Sequence, residues 1–102
     1  MPGIARGDNV DTVSTNHGCD PTTTCEGNSA SVFVEGIGVH RRGDATALHT
    51  ILVGVSCVPH TAPIAVGSTS VFANGKGIAR KGDAYIGTEA VKTGSFRVFA
   101  GG

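Results

Sequence analysis

Residues 67–83 read Gly-Ser-Thr-Ser-Val-Phe-Ala-Asn-Gly-Lys-Gly-Ile-Ala-Arg-Lys-Gly-Asp. A β-prone run, Thr69 to Ala73, meets an Asn-Gly pair. Asn-Gly is the strongest short hairpin signal, because both residues tolerate positive φ. A second short apolar stretch (Gly77-Ile78-Ala79-Arg80) follows, and then a Gly-Asp turn, Gly82-Asp83. The unit predicts strand, tight turn, strand, turn.

Residues 27–44 repeat it with one extra residue, as GNSASVFVEGIGVHRRGD. A third copy is cut across the ends: GSFRVFAGG closes the chain at 94–102 and PGIARGD opens it at 2–8. A repeat completed only by joining the termini predicts a closed, pseudo-threefold body with adjacent ends, suited to a threefold partner. The expectation is one all-β domain over 1–102 with no long helix, its third repeat split between 94–102 and 2–8.

Matched positions carry matched chemistry. Val39, Ile78 and Ile4 are expected to face one interior, with Val32, Val71 and Val98 or the Phe beside each. Phe33, Phe72 and Phe99 are read as core packing, the usual fate of Phe. Arg6, Arg41 and Arg80 precede Gly-Asp, so Asp8, Asp44 and Asp83 are their expected partners in bidentate pairs.

With 102 residues, no Trp, one Tyr and four Phe, the core is small. Such a chain calls for a staple, a metal or a partner surface. Formal net charge is zero, which argues against nucleic acid, whose phosphates need a basic face. No apolar run approaches the roughly 20 residues of a membrane span. The opening MPGIARGDN lacks the apolar centre of a signal peptide, so the cytoplasm is the default site of synthesis.

Between the units lie connectors 9–26, 45–66 and 84–93. The first two hold all three cysteines and three of the four histidines. One disulfide plus a free thiol is possible but disfavoured in a reducing compartment, and the cysteines with the histidines suggest a metal at least as strongly. If the connectors converge at one end, His17, His49 and His60 can meet, and a fourth donor would close a structural zinc site. The third connector offers none near Ile86-Gly87. Cys57 is favoured as the fourth ligand, from the chelating pair Cys57-Val58-Pro59-His60, with Cys19 as runner-up and Cys25 third. The plain alternative is exposed loop histidines and a small buried Cys57. His40 lies inside the repeat, at the place of Ala79 and Ala5, and is read as a non-ligand. A Cys–His nucleophile (Cys57 with His60, or Cys19 with His17) would need a cavity that so small a body hardly offers.

The units GIGVHRRGD, GKGIARKGD and PGIARGD resemble those of PAAR-repeat proteins, in which Pro-Ala-Ala-Arg precedes Gly-Asp. The family's Gly-Ser-x-x-Val-Phe-x-Asn-Gly stretch stands at Gly67 to Gly75 and, altered, at Gly27 to Gly36. The resemblance implies a short conical β-structure that caps the blunt end of a trimeric β-helical spike, such as VgrG in type VI secretion or the central spike of a contractile phage tail. It also implies zinc near the vertex, bound through His and Cys; the chain departs from the pattern at Ile86-Gly87, where a Cys is usual.

The expected function is therefore a non-enzymatic, metal-stiffened tip that helps pierce a target envelope, making transient contact with its membrane. It would sit in a virion's tail or on a cytoplasmically assembled secretion spike. Because the chain starts and stops within its repeat, no toxin domain is expected on it. The alternatives are a zinc-binding enzyme or regulator, and an adaptor docking effector cargo, the last favoured if Ile51-Leu52-Val53 is exposed.

Overall fold

The computed structural model describes residues 1–102. It contains no helix and nine short strands: β1 (Thr12–Ser14), β2 (Thr22–Thr24), β3 (Phe33–Val34), β4 (Ile37–Gly38), β5 (His49–Val53), β6 (Ser56–His60), β7 (Phe72–Ala73), β8 (Lys76–Gly77) and β9 (Ala90–Val91). Strands β2, β1 and β9 form one antiparallel sheet in that order, and β3–β4, β5–β6 and β7–β8 are hairpins. The body is elongated, 41 × 23 × 23 Å.

The turns behave as the Asn-Gly signal predicts. Asn74 and Gly75 have φ of 56° and 76°, and Glu35 and Gly36 have 56° and 80°. Two successive left-handed residues suit the right-handed twist of the flanking strands. Phe72 pairs with Gly77 and Phe33 with Gly38. Across the chain ends, Phe99 pairs with Gly3 in the same antiparallel sense. Ala100 N–H donates to Pro2 at 3.1 Å, and Ile4 N–H to Val98 at 3.0 Å. A Cβ added at Gly3, Gly38 or Gly77 would fall on the carbonyl oxygen of Ser95, Ser29 or Ser68 respectively, so each hairpin lies backbone to backbone on a serine loop.

Three further bridges link the segments in a closed cycle. Ile4 pairs with Arg80, Arg6 with Val39, and Arg41 with Ile78. The turn residues close the same cycle through side chains. Glu35 accepts from Arg6 (3.2 Å) and Ser95 (2.6 Å), and Asn74 from Arg41 (3.1 Å) and Ser29 (2.6 Å). The Gly101 carbonyl accepts from Arg80 (3.1 Å) and Ser68 (2.6 Å).

The core has two layers. One holds Ile4, Val34, Val39, Ala73, Ile78 and Ala100, with Val32 and Val71 packed against it. The other holds Ala5, Val13, Cys25, Ala62, Ile64, Ala79, Tyr85 and Val91. Neighbours along the chain divide between the layers, Ile4 from Ala5 and Ile78 from Ala79. The period-2 alternation of extended backbone turns Val34, Ala73 and Ala100 inward. The same alternation overturns the core expectation for phenylalanine: Phe33, Phe72 and Phe99 are 57%, 55% and 47% exposed.

The Arg–Asp pairing holds in two units. Arg41 Nε and Nη2 donate to Asp44 at 2.9 and 3.0 Å, and Arg80 does the same to Asp83 at 3.0 Å twice. Asp44 and Asp83 lie three residues after their arginines, and each donates its N–H back to the arginine carbonyl. Asp8 follows Arg6 by only two residues, too few for that turn. The chain runs on through Asp8 and Asn9, both at positive φ, and Asp11 takes the place. Arg6 Nε and Nη2 donate to Asp11 at 2.9 and 3.1 Å.

Candidate metal centre

The three connectors converge beside the second core layer. In the first, Asn16 turns the chain with φ of 58° and donates from Nδ2 to the Thr88 carbonyl at 3.0 Å. Thr88 Oγ1 returns a bond to the Thr15 carbonyl at 3.3 Å. These bonds tie His17 beside Glu89, the residue before β9. In the second connector, His49 opens β5 and His60 ends β6, and the two are directly opposite in the hairpin register.

Three imidazoles therefore surround one carboxylate oxygen. Glu89 Oε2 lies 2.6 Å from His49 Nε2, 2.9 Å from His17 Nε2 and 3.6 Å from His60 Nε2. One donor atom from each of the four residues can be chosen with all four within 4.8 Å of one another. His49 and Glu89 are buried, while His17 and His60 are partly open. Glu89 Oε1 is the one buried side-chain N or O atom without a hydrogen-bond partner. His49 Nδ1–H donates to the Ala47 carbonyl at 3.0 Å, which turns the lone pair of Nε2 toward Glu89. Two acceptors 2.6 Å apart need a positive species between them, a proton or a metal ion.

The donor set fits a metal. Four ligands about 2.0 Å from a tetrahedral ion stand about 3.3 Å apart, close to the spacings around Oε2. Imidazole nitrogen and carboxylate oxygen suit zinc, and the Ala47 carbonyl orients His49 as an outer-shell acceptor does. The unpartnered Oε1 is a buried acceptor that the protein's own hydrogen bonds do not satisfy.

The structure brings His17, His49 and His60 together and leaves Cys57 and Cys19 out. Cys57 Sγ is bonded to Cys19 Sγ at 2.03 Å. The C-x-x-H spacing fails as a chelate because residues 57–60 are a strand. Positions three apart on a strand face opposite sides, so Cys57 points away when His60 points in. The disulfide disfavoured from compartment alone is present, and both thiols of the imagined Cys–His pairs are consumed in it. Cys25 is a buried free thiol elsewhere.

Glu89 is the member of the cluster that the sequence did not point to. It is the sole acid in connector 84–93, three residues past Ile86, where the family pattern has a Cys. A lone carboxylate in a connector with no His or Cys was the available signal.

His40 lies outside the cluster, as expected for a non-ligand. Its Nδ1–H donates to the Gly27 carbonyl at 2.6 Å, so Nε2 accepts from Tyr85 O–H at 2.8 Å. The Cys25 thiol in turn donates to Tyr85 at 3.4 Å. Burial holds this chain of groups neutral: it lowers His40, raises Tyr85 and pushes the Cys25 thiol up to about 12.

The family model described as PAAR motif matches residues 15–86, more than two thirds of the chain. No match to an individual curated protein was found. The chain belongs to the PAAR family, and its helix-free, short-stranded architecture agrees with that membership.

Proposed function

We propose that this PAAR-family chain is a non-enzymatic tip that caps a trimeric β-helical spike, one chain per trimer, in a contractile injection machine of a phage tail or secretion system. In this reading the tail and head of the chain form the third of three like units, and the end that meets the target envelope is stiffened by zinc. His17, His49, His60 and Glu89 would hold the ion. When bound, it supplies a charge that neutralises Glu89 and a cross-link between connectors with little core of their own.

The observation that carries the reading is the division of labour along the body. Phe33, Phe72 and Phe99 stand half-exposed beside the layer of Val34, Ala73 and Ala100. The histidine–glutamate knot instead borders the layer of Tyr85 and Val91. One half-exposed Phe on each of three like pairings suits a threefold partner surface, and the two-residue strands of the hairpins leave edges for strand addition by a trimer's ends. Four protein donors leave no open coordination position, which is the structural pattern and speaks against a zinc enzyme.

The test mixes the chain with its cognate spike and measures stoichiometry by light scattering. A complex of one chain per trimer is expected. The triple substitution Phe33→Ser, Phe72→Ser, Phe99→Ser should abolish it while metal content stays at about one ion per chain. Folded wild type that ignores its spike sinks the proposal.

A second reading, docking of effector cargo, draws on the hairpin β5–β6. Leu52, Val53 and Val55 are 52%, 56% and 99% exposed, within a connector (45–66) that carries no Lys, Arg, Asp or Glu.

A further inference from the structure

The disulfide joins the two segments that carry the histidines. Cys19 lies two residues after His17, and Cys57 three before His60. The hairpin β5–β6 supplies His49 and His60 from one end, while its far half projects Leu52, Val53 and Val55 into solvent. Neither core layer includes a residue of that half. Three ties connect the hairpin to the His17 segment. Gly18 lies against the Leu52 side chain. Asp20 Oδ2 accepts from Thr50 N–H and Oγ1–H, each at 2.7 Å, at the partly exposed surface. The Cys19–Cys57 bond is the third and the only covalent one.

We propose that the Cys19–Cys57 disulfide is a redox-sensitive clamp on the metal centre. Closed, it holds His17 in register with His49 and His60. Opened, it lets the His17 segment and the hairpin move apart, and the site binds its ion less tightly. The inference rests on the metal site proposed above. Binding and disulfide are then linked in both directions: whatever factor the clamp adds to metal affinity, the bound metal adds to the disulfide's resistance to reduction.

Cys57 is an exposed residue, so the bond lies at the surface that a dithiol reductant reaches. A dithiol's thiolate attacks Cys57 Sγ, the Sγ–Sγ bond breaks, and Cys19 leaves as a thiolate. The second sulfur of the dithiol then displaces Cys57 and the reagent closes to a cyclic disulfide. Two electrons and two protons pass to the protein, leaving two thiols.

The experiment compares zinc affinity of the full chain, oxidised and reduced, by competition with a chromophoric chelator. The dithiol is removed by anaerobic desalting before titration, since it binds zinc itself. The double substitution Cys19→Ser, Cys57→Ser serves as a reductant-free control. Reduced wild type and the double variant should bind zinc about 10- to 100-fold more weakly than the oxidised form, the range seen when a ligand's support is lost. Their cobalt(II) spectra should show no thiolate charge-transfer band. Equal affinities overturn the clamp and leave the metal site standing. Tighter binding on reduction, with a thiolate band, overturns it too and makes the cysteines ligands. An oxidised chain that binds neither ion overturns both the clamp and the metal site. If the double variant does not fold, the two redox forms of the wild type share one sequence and decide alone.

Discussion

Glu89 and His40 are both buried and both titratable, and their surroundings assign them opposite roles. Glu89 lies among three imidazoles with Oε1 unpartnered, a setting that suits a bound cation. Glu89→Gln keeps the volume and removes the charge; zinc affinity should fall at least about 10-fold, read by chelator competition. His40 has every ring nitrogen satisfied in a neutral network, and burial lowers its pKa from the ordinary 6.5. A depressed histidine favours the deprotonated native state. Its contribution is complete above about pH 6.5 and is lost as the pH falls from there through the folded value, because the unfolded chain takes up the proton first. Denaturant unfolding of metal-free protein at several pH values should show that loss. His40→Ala, the residue of the two matched positions, should show a flatter profile over this range. Equal slopes would mean that another group dominates.

At the scale of the element, the hairpins are specified twice, by turn chemistry and by close approach. Gly77 pairs with Phe72 while its Cα faces the Ser68 carbonyl. Gly77→Ala drives a methyl group onto that oxygen and should cost roughly 1–3 kcal/mol, measured by urea unfolding. Ile78, one residue on and 3% exposed, tests the layer itself; Ile78→Ala should cost about 2–4 kcal/mol. The hairpin β5–β6 differs because its outer half has no layer to pack on. A disulfide closing 38 residues stabilises by about 4 kcal/mol in the chain-entropy account, so reduction should lower the melting temperature even without metal.

For the molecule as a whole, the decisive contacts are those that close the cycle. Gly3 pairs with Phe99, and the Gly101 carbonyl receives Arg80 and Ser68. The ends are therefore neighbours. A circular permutant joining Gly102 to Met1 through a short linker, reopened at the exposed Gly54-Val55 tip, should fold and bind zinc as the parent chain does. A permutant that fails to fold, with the disulfide formed, would show that end pairing is not what holds the body together.

Much of this was legible in the repeated segment. Asn74-Gly75 and Glu35-Gly36 specify left-handed turns, and Val39, Ile78 and Ile4 recur at one offset and are all buried. These are local properties, set by which φ values a residue tolerates and by the alternation of extended backbone, so spacing along the chain carries them. The convergence of His17, His49 and His60 followed from the expectation that the connectors meet at one end. Three features did not follow. Phe33, Phe72 and Phe99 face outward, because the inward place goes to the next residue in the alternation. Arg6 takes Asp11 rather than Asp8, because a missing residue in the turn moves the acceptor. Cys57 pairs with Cys19 while Glu89 joins the histidines, because residues 57–60 are a strand that sends Cys57 and His60 to opposite faces. In each case the question is which side of the backbone meets which neighbour. Only the assembled connectors, packed from three distant stretches onto one core, decide that.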